Sequence, residues 1–331
     1  MKKTRVCVLG SNSFSGSDFI DLLLEDKKYE VLGISRSPEK SKIFLRYKRH
    51  RAPTFTFHQG DLNQDSKKIA RLLQEFKPDY IVNFSAQSEV GPSWQTPWDW
   101  FETNTVALAR LIDYLKGAKY LKKYVHISSP EIYGSCQGVV KETAPLNPST
   151  PYAVSKAAAD YFLSAYWKNF RFPVCWVRAT NVYGAHQQLF KIIPRSVIRI
   201  KSGEKILLDG GGQAVKSYIH IRDVSRGELA IMEKGKLGEV YHLSPDQGYR
   251  VRDIVKKICQ KMAVDFNKVT QVAPERLGQD KAYVIDSTKA RRQLRWRPLV
   301  DLDAGIDEVI DWANANWEEI QQEPLEYIHR R

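Results

Sequence analysis

Short apolar runs recur along the first 184 residues, and most lead through a polar turn into a stretch of helical period. RVCVL (Arg5 to Leu9) precedes SDFIDLLLED, and YEVLGI (Tyr29 to Ile34) follows. TFTFHQGDLNQD (Thr54 to Asp65) precedes SKKIARLLQEF, and DYIVNFSAQSEV precedes WDWFETNTVALARLIDYLKGA. KYVHISSPEIYG (Lys123 to Gly134) comes before STPYAVSKAAADYF, and PVCWVRATNVYG (Pro173 to Gly184) closes the series. Strand and helix alternating without long hairpins predict an α/β fold built on a doubly wound parallel sheet. The pattern then changes. QQLFKIIPRSVIRIKSGEKI reads as a helix and turn, and LLDGGGQAVKSYIHIRDV is rich in glycine and strand formers. The last third, to IDEVIDWANANWEEI, is mostly helical. A first domain over 1–184, to which some later segments return, and a smaller mixed α/β lobe over 185–331 are expected.

Chemistry is concentrated where the predicted strands end. The first run ends in GSNSFSG before a helix, the phosphate-cradling start of a Rossmann-type dinucleotide-binding domain. Gly10 permits the tight turn, Gly16 allows helix and strand to pack closely, and the helix N-terminus faces the pyrophosphate. Ser13, followed by Phe14, stands where a middle glycine is usual. The second run ends at Ser35-Arg36-Ser37 with no acid to bind the ribose 2′-hydroxyl of NAD. Arg36 tilts the reading towards NADP, the alternative being an Arg stacked on the adenine of NAD. Asp61 is placed to accept from the adenine amine, with Leu62 on the ring. Ser85, Ala86 and Gln87 continue the cofactor edge, and Ser88 faces the substrate.

The stretch from Ser128 to Lys156 carries the reactive groups. Tyr152 and Lys156 are spaced Y-x-x-x-K, which on a helix puts them on one face, a turn apart. A lysine charge near a tyrosine favours the phenolate and makes it a usable base. Ser129 and Glu131 leave a strand where an open α/β sheet places its ligand crevice. By itself the Y-x-x-x-K spacing is common, and Glu131 alone reads as a solvated loop carboxylate. Together, behind a dinucleotide fingerprint, they are specific.

Composition narrows the picture. The 331 residues are 43% hydrophobic and 11% aromatic, as in an ordinary globular protein, and no apolar run reaches membrane-spanning length. MKKTRVCVLGSNSF runs straight into a strand without an apolar leader or cleavage site, so a cytoplasmic protein is expected. Cys7, Cys136, Cys175 and Cys259 form no metal-ligand pattern, and Cys7 and Cys175 read as core filler. The formal charge of +13 attracts polyanions, and part of it sits in KSKIFLRYKRHRA (Lys40 to Ala52), read as a solvated loop or helix. No nucleic-acid motif accompanies it, so nucleic acid is not an expected partner.

These residues resemble the extended short-chain dehydrogenase/reductase superfamily, and within it the nucleotide-sugar 4,6-dehydratases, over nearly the full chain. HQGDLNQD followed by KPDYIVNFSAQSEV is similar to the GDP-mannose enzymes. From FETN (Phe101 to Asn104) onward the chain is more similar to the dTDP-glucose enzymes, through STPYAVSKAAAD, NVYG, QQLFKIIP, KSYIHIRDV, GEVYHL and RLGQDKAYVID (Arg276 to Asp286). The resemblance implies a tightly bound, recycled NAD(P) and an internal redox cycle. Tyr152 takes the proton of the sugar C4 hydroxyl as hydride leaves C4, Lys156 binds the nicotinamide ribose, and Ser129 orients the C4 oxygen. Glu131 then removes the C5 proton, water leaves from C6, and the hydride returns there, giving a 4-keto-6-deoxy sugar nucleotide. Asn181, Lys216, Arg276 and Asp280 are implied around the nucleotide diphosphate. Helices over Thr105 to Ala118 and Ser155 to Asn169 imply a homodimer.

Two departures from the family pattern stand out. Pro130 occupies the place of the Asp that protonates the C6 hydroxyl in dTDP-glucose enzymes. This argues against dTDP-glucose and leaves Glu131 as both base and acid. Lys216 replaces a diphosphate-binding Arg, keeping the charge but losing the bidentate fork. The rival readings are a nucleotide-sugar 4-epimerase or UDP-glucuronate decarboxylase on the same scaffold. More remote is a non-catalytic cofactor- or RNA-binding protein, which the retained Tyr152 and Lys156 oppose.

Overall fold

The computed structural model describes residues 3–136, 138–275 and 284–329. Six of the apolar runs become strands of one sheet: β1 (Thr4–Leu9), β2 (Tyr29–Ser35), β3 (Phe55–Gln59), β4 (Tyr80–Asn83), β5 (Lys123–Ile127) and β6 (Val174–Ala179). A seventh, β7 (Val240–Leu243), joins from much later in the chain. The order is 3-2-1-4-5-6-7, and every neighbouring pair is parallel. The chain direction across the sheet reverses between β1 and β4, which opens a crevice beyond their carboxyl ends.

Alternation along β1 shows how the two core layers form. Val6 and Val8 pack on one face with Phe19, Ile20 and Ile231, against helices Phe14–Leu24 and Ile221–Lys234. Cys7 and Leu9 pack on the other with Leu111, Tyr124 and Leu163. Cys7 and Cys175 are wholly buried, as their apolar surroundings suggest. On the second face, Pro97–Phe101, Glu102–Ala107 and Leu108–Leu115 follow one another without a break, and the middle six residues form a π-turn. Such a turn inserts a residue into the helix and often marks a functional site.

Beyond β6 the chain builds a second core. Helices Ile192–Lys201, Val251–Lys261 and Leu302–Ala315 gather around Ile193, Val197, Ile254, Ile306 and Trp312. Short strand pairs frame it: Ile206–Asp209 with Thr270–Ala273, and Val215–Lys216 with Tyr249–Arg250. Asn181–Tyr183 pairs with Tyr218–His220 before the chain returns to the sheet.

The basic segment differs from its expected form. It is neither a solvated loop nor a free helix, since Ile43, Leu45 and Tyr47 are buried and only Arg46–Arg49 makes a short 3-10 turn. Helix Phe14–Leu24 buries Asp18 and Asp21 completely, and buried carboxylates require counter-charges. Arg49 Nε reaches Asp21 at 2.6 Å, Arg46 reaches Asp18 at 3.5 Å and Glu308 at 2.9 Å, and Arg222 also pairs with Asp21. Much of this local charge is therefore neutralised. Among the described residues no helix is long and apolar enough to cross a membrane.

Candidate active site

The glycine turn after β1 is shaped by contacts that a side chain would break. Gly10 sits at φ +79°, and a Cβ there would stand 2.7 Å from the backbone nitrogen of Ser85. A Cβ on Gly16 would meet the Gly10 carbonyl oxygen at 2.4 Å. Ser13 is at φ −76°, an ordinary extended conformation, so a glycine is not needed there. Its Oγ caps the helix, accepting from Gly16 N at 3.0 Å. Phe14 follows, buried. The open first turn of that helix faces the crevice, which fits a dinucleotide pyrophosphate.

Around this turn the strand ends are tied into place. The Asn12 side chain donates to the carbonyls of Ser37 (2.8 Å) and Pro38 (2.9 Å), and its backbone N–H donates to Ser35 Oγ. That fixes the bend carrying the half-buried Arg36, whose carbonyl accepts from Gln59. After β3, Asp61 Oδ1 accepts from Asn63 N at 2.9 Å in a local turn. Leu62 turns inward to the core layer of Ile34 and Ile69. After β4, Ser85 N donates to Asn83 Oδ1, Ala86 is half-buried, and Gln87 is buried. Asn104 grips Gln87 from both sides, accepting from its N–H at 2.9 Å and donating to its carbonyl at 3.0 Å. The same amide group donates to Ser155 Oγ at 2.9 Å. Ser88 lies exposed beside Glu89. Asn12 and Asn104 were not singled out in the sequence, although both lie in its recognised motifs, GSNSFSG and FETN.

The four expected catalytic residues come together. Ser129 caps the short 3-10 turn Pro130–Tyr133, its Oγ accepting from Glu131 N at 3.2 Å. Proline suits the first position of such a turn because its nitrogen has no hydrogen to leave unpaired. Helix Pro151–Phe170 begins with the Thr150 cap and Pro151, so Tyr152 lies in its first turn and Lys156 one turn on. Ser129 hydrogen-bonds the Tyr152 phenol, and Glu131 is close enough for its charge to act on it. Lys156 Nζ donates to the Ile127 carbonyl at 2.7 Å.

Electrostatics here depart from the expectation. Burial raises the Tyr152 pKa, the Glu131 charge raises it further, and only the Ser129 hydrogen bond opposes them among the leading influences. Lys156 is not among those leading influences; its ammonium is buried and donates to the Ile127 carbonyl. Burial pushes the Lys156 pKa down to about 8, with Asp160 acting the other way. The unfolded chain keeps that proton up to the ordinary 10.5, so between these values it binds more protons than the folded chain. This group therefore makes stability rise with pH through that window, and its burial penalty is complete below it. Chemical melts of Lys156→Met should consequently compare best with wild type below pH 8. The difference should move in favour of wild type as the pH approaches 10.5, and a pH-independent difference would contradict the shift.

On the substrate side, Asn181 donates to the Ser217 carbonyl through both its backbone N–H (3.1 Å) and its side chain (3.2 Å). Lys216, half-buried, is the neighbouring residue and pairs with Tyr249 across the short strands. The two are thus brought together. Arg276 and Asp280 lie outside the described residues. No cluster of three His, Cys, Asp or Glu side chains able to hold a metal occurs among the described residues.

Comparison with known proteins places the chain in a family. The chain is 30% identical over 281 residues to dTDP-glucose 4,6-dehydratase of Xanthomonas campestris, covering 79% of this chain and 80% of that one. The structure of DesIV, a dTDP-glucose 4,6-dehydratase from Streptomyces venezuelae with NAD and TYD bound, superposes with a TM-score of 0.89 at 29% identity. It covers 96% of this chain and 98% of that one. UDP-glucuronic acid 4-epimerase from Bacillus cereus, in complex with UDP-glucuronic acid and NAD, gives 0.87 at 25% identity, covering 94% and 99%. The profile of the GDP-mannose 4,6 dehydratase family matches residues 7–309, and the chain belongs to that family.

Proposed function

We propose that the protein is an NAD(P)-dependent hydro-lyase that converts a nucleoside-diphosphate hexose to its 4-keto-6-deoxy form. The observation that carries this reading is Glu131, a carboxylate beside the Tyr152–Ser129 hydrogen bond, where an epimerase needs none. A bound nicotinamide dinucleotide supplies a temporary acceptor for the C4 hydride, which ends on C6. Tyr152 takes the C4 hydroxyl proton while Ser129 holds that oxygen. Lys156 fixes the nicotinamide ribose. Once C4 is a ketone the C5 proton is acidic, and Glu131 removes it as the C6 hydroxyl departs. Pro130 has no proton to give, so the proton Glu131 has taken is the one that leaves with the C6 oxygen as water. When hydride reaches C6, the enolate carbon C5 takes a solvent-derived proton through Glu131, balanced by the C4 hydroxyl proton that Tyr152 releases. Asn181, Lys216, Arg276 and Asp280 hold the nucleotide diphosphate, with Ser88 at the sugar edge.

The cofactor is held by Gly10, Ser13, Phe14, Gly16, Arg36, Asp61, Leu62 and Ser85 to Gln87. The missing acid at Ser35-Arg36-Ser37 favours NADP, whereas the Streptomyces venezuelae and Bacillus cereus structures hold NAD. Parallel titrations with both cofactors decide between them. The decisive experiment on function is mass spectrometry of products from GDP-, dTDP-, UDP- and CDP-hexoses. A product lighter by one water with no net cofactor reduction supports dehydration. An isomer of unchanged mass would establish the 4-epimerase reading.

We further propose a cytoplasmic homodimer. Cys7, Cys175 and Cys259 are buried as thiols and form no disulfide among the described residues, which suits a reducing compartment. Trp98 (61% exposed), Tyr114, Tyr161 (63%) and Phe170 present large apolar side chains on the helical stretch 97–115 and on helix Pro151–Phe170. Exposed aromatics gathered on neighbouring helices mark an interaction face. Tyr161→Glu should shift the protein from dimer to monomer in light scattering, and an unchanged mass would remove this face from consideration.

A further inference from the structure

One buried polar cluster lies behind the reactive residues and joins the two elements that carry them. Asp160, 5% exposed, is one turn beyond Lys156 on helix Pro151–Phe170. Arg178, 4% exposed, points from β6 and donates through Nη2 to Asp160 Oδ2 at 2.8 Å. Its Nη1 donates to the Tyr133 hydroxyl, and the guanidinium stands 4.9 Å from the centroid of that ring. Tyr133 is the last residue of the turn that Ser129 caps and that bears Glu131. Its hydroxyl also meets His242 Nε2 at 2.8 Å, so the turn is anchored to the sheet as well. Ser128 adds a second tie to the helix, donating to Asp160 Oδ2 at 2.8 Å.

We infer that Arg178 is a positioning residue that locks the Glu131 turn to the Tyr152–Lys156 helix through Tyr133 and Asp160. A planar fork carries its donors in fixed, divergent directions and holds two acceptors on different elements in one geometry, whereas a lysine ammonium is a single point on a flexible stem. A buried ion pair is also weak evidence for stability, because desolvation offsets its attraction. What this pair does supply is registration. The phenol and the carboxylate act on adjacent sugar carbons in successive steps, so their separation has to be kept between the steps. This inference rests on the function proposed above.

Arg178→Ala would leave the Asp160 carboxylate buried without its counter-charge and is expected to unfold. Tyr133→Phe is the informative variant, since it keeps the ring and the Asp160–Arg178 pair while removing the turn's hydroxyl ties to Arg178 and to His242. Single-turnover experiments with the sugar that wild type dehydrates would follow two signals. These are the near-ultraviolet absorbance of reduced nicotinamide, for C4 oxidation, and solvent-deuterium uptake with water loss, for elimination. Oxidation should stay near the wild-type rate while elimination slows roughly 10- to 100-fold, the cost of a small misplacement. Reduced nicotinamide should then accumulate in a protein that still melts cooperatively, at a somewhat lower temperature because Arg178 and His242 each lose a buried partner. Arg178→Lys, which keeps the charge but loses the fork, should give the same split. Equal loss of both steps, or no loss in either, while wild type turns over would overturn the inference. Wild type that releases water from no sugar would remove both the functional reading and this inference with it.

Discussion

Tyr152→Phe is expected to stop the reaction before any sugar is oxidised. Stopped-flow absorbance should show no reduced nicotinamide on mixing with substrate, and turnover should fall by about 10²–10⁴-fold, the usual worth of one positioned acid–base group. The reasoning starts from burial. The Tyr152 phenol is only 8% exposed, and among the described residues Ser129 is its hydrogen-bonded neighbour and Glu131 a charge beside it. The variant keeps the ring and the helix cap at Thr150, so melting should be nearly unchanged. Near-wild-type turnover would remove Tyr152 from the chemistry.

Glu131→Gln should fail at the opposite point. With Ser129, Tyr152 and Lys156 intact, C4 oxidation should proceed, and reduced nicotinamide should build up to a stable level. The C5 proton then has no base, so water loss should slow by about 10²–10⁴-fold. Glutamine preserves the backbone N–H that Ser129 Oγ accepts, so the turn should keep its shape. Removing a carboxylate that raises the phenol pKa should also make Tyr152 easier to ionise, which favours the first step. Equal loss of oxidation and elimination would mean that Glu131 supports the site without acting on C5. Read as a pair, the two variants separate the oxidation from the elimination.

Much of this arrangement was legible in local sequence. Six strands of the sheet were visible as apolar runs, because a doubly covered parallel sheet leaves few polar positions within a strand. The glycine turn, the Ser129–Glu131 exit and the Tyr152–Lys156 helix follow from neighbours in the chain, and their meeting follows from the sheet order. What was not legible depends on distant partners. The basic segment 40–52 looked solvated because the acids that dock Arg46 and Arg49 lie on helix Phe14–Leu24, whose Asp18 and Asp21 resemble the polar face of a surface helix. Asn104 belongs to the FETN motif, but its grip on Gln87 lies within a π-turn that has no marker in residue type. The Tyr152 shift was misread because spacing fixes which residues can approach but not how deeply they are buried.

The late return of helix Ile221–Lys234 and β7 to the sheet makes the two lobes inseparable as modules. A fragment ending at Gly184 would leave β6 as a raw edge, and Val6, Val8 and Phe19 would lose Ile231, Met232 and Tyr241 from their layer. Conversely, the second core draws Ile43 from the other end of the chain. Unfolding should accordingly be a single cooperative event rather than two. Exchange of lobes between relatives would have to carry several crossings of the chain together, including the returns of Ile219 to Leu243 and of Ala290 to Trp296 to the sheet core. Point substitutions and loop insertions leave those crossings intact and are the changes such an interleaved chain accommodates most directly.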